Sequence, residues 1–119
     1  MPTQLTACVT VREVGDVTVI TITQRKVIED GFILRFGEEL LQLHSDRRRM
    51  KFVLSLEGVD FCSSAAFGKI MMFETLIAAR GGALRLCHIN AEIYEVFAIT
   101  RLNRLFTIVE TVEDALASF

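Results

Sequence analysis

Two adjacent serines, Ser63 and Ser64, stand where a short apolar run gives way to a helix-like pattern. Hydroxyls at a helix start can accept from the free backbone N–H groups of the first turn. The same N–H groups, with the positive end of the helix dipole, also tolerate a phosphate well. A phosphoserine carries about two negative charges, enough to disrupt an apolar docking face beside it. Capping accounts for at least one of the two hydroxyls. The other is placed to act as an electrostatic switch.

Other reactive side chains form no catalytic constellation. His44 sits in a helix-like stretch and His88 near the end of a strand-like one, so no pair has metal-ligand spacing. Glu38 and Glu39 are adjacent, and neighbouring helix positions point in different directions. Cys8, Cys62 and Cys87 are widely spaced, odd in number and without a Cys-x-x-Cys pair, which suits small buried hydrophobes better than a disulfide or zinc framework. No glycine-rich phosphate loop, dinucleotide fingerprint or Gly-x-Ser-x-Gly elbow occurs. Arg47, Arg48 and Arg49, with Lys51 close by, make the one basic cluster. At a helix C-terminus they complement the dipole, and no aromatic stacking platform accompanies them. No catalytic activity, metal or cofactor is expected.

The chain has 119 residues, 51% hydrophobic and 24% charged, with a net charge of −2. Those values suit one compact domain with a sizeable core. They give no reason to expect a nucleic acid or an anionic membrane as partner. No apolar run reaches the roughly 20 residues of a membrane span. Met1–Glu13 lacks a secretory pattern, so the cytoplasm is the expected compartment.

The elements that would position the serines follow from periodicity. Residues 1–5 read as a loose start and 6–119 as the domain. Thr6–Glu13 and Asp16–Thr23 are rich in Val, Ile and Thr around a Val14-Gly15-Asp16 turn, which predicts a β-hairpin. Both faces of its second strand are apolar, so that strand belongs inside the sheet. Gln24–Gly31 reads as loop, with Asp30 as a helix N-cap. Ile33, Phe36, Leu40 and Leu43 form an amphipathic stripe. Phe52–Leu56 reads as a strand, Gly58–Cys62 as loop, and Ser63–Arg80 as a long helix stopped by Gly81-Gly82. Ala83–Ile89 is a further strand. Asn90 caps a helix over Ala91–Ile99, Leu105–Val109 is the last strand, and Thr111 caps a final helix. The order β-β-α-β-α-β-α-β-α predicts an α/β fold, a mixed and mostly parallel sheet flanked by about four helices.

The stretch Leu56–Ile70 resembles the signature loop of STAS-domain anti-sigma-factor antagonists, in which Gly-Val-x-Phe leads into Ile/Met-Asp-Ser-Ser/Thr-Gly-Leu-Gly. Gly58, Val59, Phe61, Phe67 and Gly68 match that pattern. Gly81-Gly82 and the strand after it resemble the family's next turn, and Ile93, Val96, Phe97, Leu102 and Phe106 fit its later apolar pattern. The loop also departs from it. Ser63 stands at the usual Asp, Ser64 at the first Ser of the pair, Ala65 at the usual phosphorylated residue and Ala66 at the Gly.

The resemblance implies partner switching in transcription control. The domain would bind an anti-sigma factor, often a serine kinase of the ATPase type, and so release a sigma factor. Ser64 or Ser63 would be the phosphoacceptor, since Ala65 has no hydroxyl. The partner-binding surface would comprise Asp60, Cys62, Ser63, Ser64, Ala65, Phe67, Lys69, Met72 and Phe73. Met72 and Phe73 enter because Phe67, Ile70, Met71, Met72, Phe73, Leu76 and Ile77 occupy more than one helix face. Burial on two sides, between the sheet and the C-terminal helix, is the competing explanation for that spread. Two further readings are an unphosphorylated STAS scaffold, and a small-molecule site formed by the strand-end crevice near His88 and the serine loop.

Overall fold

A computed structural model of the protein describes residues 4–5 and 8–119. Its main sheet has six strands: β1 (Gln4–Leu5), β2 (Val9–Val14), β3 (Val17–Ile22), β5 (Lys51–Ser55), β7 (Ala83–Cys87) and β8 (Thr107–Ile108), in that spatial order. A second, two-stranded sheet joins β4 (Lys26–Val27) to β6 (Phe61–Cys62). The helices are α1 (Asp30–Ser45), α2 (Ser64–Ala79), α3 (Ala91–Ile99) and α4 (Val112–Ala117), with a 3-10 turn at Leu102–Arg104.

The hairpin pairs β2 with β3 in antiparallel register, Val14 opposite Val17. Gly15, at φ +62°, supplies the left-handed residue that a two-residue turn needs. From β3 onwards the pairing is parallel, β3 to β5, β5 to β7 and β7 to β8. β3 is an interior strand, as its two apolar faces require. One face of the sheet, with Ile20, Ile22, Phe52, Leu54, Leu84 and Leu86, meets α1, α2 and α3 in the main core. The other face, with Val17, Val19, Val53 and Cys87, is covered by Val112 and Ala115 of α4.

Aromatic contacts lock the first layer. Phe73 meets Phe52 edge-on at 5.2 Å, Phe67 meets Phe97 at 4.9 Å, and Phe97 meets Phe106 at 5.5 Å. Such pairs contribute about 0.5–1.5 kcal/mol each beyond area burial. The end of α2 is a Schellman cap. Gly82 N–H donates to the Ile77 carbonyl and Gly81 N–H to that of Ala78, with Gly81 at φ +84°.

Several details differ from the expectations above, among them the short strands β4 and β6, which form in stretches read as loop. Gln4 and Leu5 pair with Val11 and Thr10 of β2 rather than trailing loosely, while residues 1–3, 6 and 7 lie outside the described residues. Asp30 is the first residue of α1, and Glu29 holds the N-cap position without a side-chain cap bond. The neighbours of α2 are the sheet, α1 and α3, because α4 packs on the opposite side of the sheet.

Candidate functional site

The serine turn is built from both sheets. β5 ends at Ser55, and Val59 N–H donates to the Leu56 carbonyl to turn the chain. Gly58 takes φ +84° in that turn. The chain then runs beside residues 25–27: Asp60 and Phe61 N–H donate to the Arg25 carbonyl at 2.7 and 3.2 Å, and Ser63 N–H to that of Val27 at 3.0 Å. Arg25 also grips the Asp60 carboxylate with Nε at 3.0 Å and Nη2 at 2.8 Å. From the other side Asn90 Nδ2 donates to the Val59 and Asp60 carbonyls at 3.1 and 3.3 Å. The loop is therefore held on both flanks.

The two serines have different jobs. Ser63 is the N-cap of α2 and half-buried, and its Oγ accepts from Ala66 N–H at 3.3 Å. Ser64 is the first helical residue and is exposed. Its hydroxyl has no hydrogen-bond partner among the described residues. Ala65 and Gly68 are exposed too, and Met72 is half-buried. Ser64, Gly68 and Met72 are four residues apart, so they line one ridge along α2. Among the residues expected at a partner surface, the structure thus brings Asp60, Ser63, Ser64, Ala65 and Met72 to accessible positions.

Three others are buried, and Lys69, half-buried like Ser63 and Met72, packs its stem along α1. Phe73 is 0% exposed, sealed against Phe52, so it is core and not a contact. Phe67 is buried against Phe97. Cys62 points into the core, where burial pushes its thiol up to about 11, and so it is inert. Lys69 lays its methylene stem across α1 at Gly37, where an added Cβ would come within 2.8 Å of Lys69 Cδ. It is a packing residue with a polar tip.

The sequence reading places Phe61 in the signature loop but not among the surface residues, and it leaves Arg25, Ile28 and Asn90 out of this region. Phe61 is 53% and Ile28 49% exposed, large apolar side chains on the surface beside the serines. Val27-Ile28 inside the otherwise polar stretch 24–31 was the available signal.

The crevice at the C-terminal ends of β5 and β7 has a volume of about 670 Å³. Glu57, Asp60, His88, Asn90, Tyr94 and Glu110 supply its polar lining. Neither Ser63 nor Ser64 lines it, so the joint site of His88 and the serines does not form. His88 takes φ +55° and faces Glu57, Nε2 to Oε2 3.7 Å. Three carboxylates and no Lys or Arg on the walls disfavour a phosphate-bearing ligand.

Three of the four residues of the basic cluster pair within the chain, while Arg47 is exposed. Arg48 and Arg49 both bind Asp46, Arg49 also binds Glu13, and Lys51 binds Asp16 at 2.8 Å. Arg80 directs its guanidinium to the carbonyls of His44, Asp46 and Arg49. No helix of the described residues is long and apolar enough to cross a membrane.

The STAS domain profile matches residues 9–115, nearly the whole chain. The chain belongs to the STAS domain family. Solved STAS structures superpose on it closely. An anti-sigma-factor antagonist STAS domain protein from Planctomyces limnophilus has a TM-score of 0.83 at 20% identity, covering 96% of this chain and 98% of that one. A candidate anti-sigma factor antagonist from Thermotoga maritima gives 0.81 at 22% identity, covering 91% of each chain. The Bacillus cell fate determinant SpoIIAA in its phosphorylated form gives 0.72 at 14% identity, covering 92% and 97%. At these identities the likeness is one of fold.

Proposed function

We propose that this STAS protein is an anti-sigma-factor antagonist that binds a serine-kinase anti-sigma factor of the ATPase type and is released from it by phosphorylation of Ser64. The observation that carries the reading is the exposed, unpartnered Ser64 hydroxyl on the first residue of α2. A phosphate there meets free N–H groups and the positive helix end, so the fold accepts it. It also sets about two negative charges beside Ala65, Gly68 and Phe61, where an apolar partner face would have to desolvate them. Ser63 is the poorer acceptor, since the residue is half-buried and its Oγ already accepts from Ala66 N–H. The domain acts by binding in the cytoplasm and needs no cofactor for it. Anti-sigma-factor antagonists among proteins of the same fold support this reading.

The test starts with capture of the partner from native cells and its identification by mass spectrometry. The captured protein should contain an ATPase-type kinase domain, and with ATP it should add one phosphate, mapped to Ser64 and abolished in Ser64→Ala. Ser64→Asp should weaken the complex at least tenfold. Absence of phosphate on either serine removes the switch.

A second reading, an unphosphorylated STAS scaffold, is favoured by Ala65. It is exposed on the first turn of α2 and offers no hydroxyl. Equal partner affinity of wild type and Ser64→Asp would select it.

A further inference from the structure

α3 joins the core through Ile93 and Phe97. Phe97 packs edge-on against Phe67 and Phe106, Asn90 caps the first turn, and the Thr100 hydroxyl donates to the Val96 carbonyl at 2.6 Å. The helix is therefore held without help from its outer side. That side is apolar all the same. Val96 and Ile99 are exposed on it, Ile99 by 74%, and Leu105, just past the 3-10 turn, is 58% exposed. Valine and isoleucine are poorer helix formers than alanine, leucine or lysine. Neither core packing nor helix propensity accounts for β-branched side chains at these two positions.

The charges around the patch are ordered. Glu92, Glu95, Val96 and Ile99 recur at i, i+3, i+4 and i+7, which puts them on one helix face. Glu92 and Glu95 lie six and three residues before the exposed Ala98, and Arg101 and Arg104 lie three and six after it. All four charged residues are exposed, and none forms an ion pair among the described residues. The segment is thus acidic at its start, basic at its end and apolar between. A second such segment laid parallel would set like charges together. One related by a two-fold axis runs the opposite way and sets each acidic end against a basic one. The mirror placement of charge about Ala98 suits an axis at that residue, and the small methyl lets two helices approach closely.

We infer that α3 and the 3-10 turn after it form a self-complementary interface on which a second copy of this chain docks antiparallel, with Ala98 near the axis. Val96, Ile99 and Leu105 supply its apolar centre. Glu95 of each copy meets Arg101 of the other, and Glu92 meets Arg104. The 9 residues of α3 span only about 14 Å, a small contact, so the dimer forms reversibly with concentration.

Sedimentation equilibrium of the full chain, from micromolar to millimolar concentration, tests it. Wild type should pass reversibly from monomer to dimer. Ile99→Asp should weaken that association at least tenfold with the melting temperature unchanged. Glu95→Arg and Arg101→Glu should each do the same alone. An equimolar mixture of those two variants should associate again, because every cross-axis contact then joins unlike charges. Wild type that stays monomeric at millimolar concentration would overturn the interface. A dimer indifferent to Ile99→Asp, or a mixture no more associated than its components, would overturn it too. p-Benzoylphenylalanine at position 99 in native cells should link to this same chain, and adducts with a different protein in its place would count against the second copy as occupant. The role proposed for Ser64 stands or falls separately from all of these outcomes.

Discussion

The side-chain nitrogen of Asn90 donates to the Val59 carbonyl across 3.1 Å while its oxygen accepts from Ile93 N–H at 2.8 Å. One amide thus caps α3 and anchors the loop that delivers Ser64. Asn90→Asp keeps the cap acceptor and loses the donor to the loop. Stability should change by less than about 1 kcal/mol, whereas amide hydrogen exchange over residues 57–63 should speed up at least tenfold. Asn90→Ala should lose both. Unchanged exchange in Asn90→Asp would mean that the loop is held without Asn90.

Two glycines of α2 and its cap should respond in opposite directions. A Cβ at Gly82 would lie 2.6 Å from the Met50 carbonyl oxygen and 2.8 Å from Ile77 Cγ2. Gly82→Ala should therefore destabilise the fold by about 1–3 kcal/mol through overpacking. Gly68 lies in the helix interior with nothing within 4 Å of an added Cβ. Gly68→Ala should stabilise the fold by about 0.5–1 kcal/mol, while placing a methyl on the ridge that Ser64 shares. Urea unfolding of both variants checks the signs.

Arg80 satisfies carbonyls of three residues where α1 ends and the chain turns towards β5. A flat guanidinium fork can reach all three, and an ammonium cannot. Arg80→Met should cost on the order of 3 kcal/mol in denaturant unfolding, since it leaves carbonyls without their charged donor. Arg80→Lys should recover only a minor part.

Burial pushes the thiols of Cys8, Cys62 and Cys87 up from 9.0 to about 11. The unfolded chain then releases these protons before the folded one does. Their contribution to stability is complete below pH 9.0 and is lost as pH rises through about 11. Unfolding midpoints should fall from pH 9 upwards, less steeply in the Cys62→Ala, Cys87→Ala double variant. An equal slope in that variant would exclude the thiols as the cause.

Local patterns in the chain specified most of the architecture. The stripe Ile33, Phe36, Leu40, the Val/Ile/Thr hairpin, the Gly81-Gly82 stop and the caps Ser63, Asn90 and Thr111 are short-range features with fixed geometric meaning. The place of Ser64 at the tip of a helix was legible for the same reason. What the periodicities left open was decided by contacts between distant residues. β4 and β6 have two residues each, too few to show a period, and they exist because the main core draws in Val27 and Cys62 from separate loops. That pairing turns Phe61 outward, and packing against β5 turns Phe73 inward. Composition cannot distinguish those two phenylalanines. Which apolar side chain is core and which is surface depends on what the folded chain places opposite it.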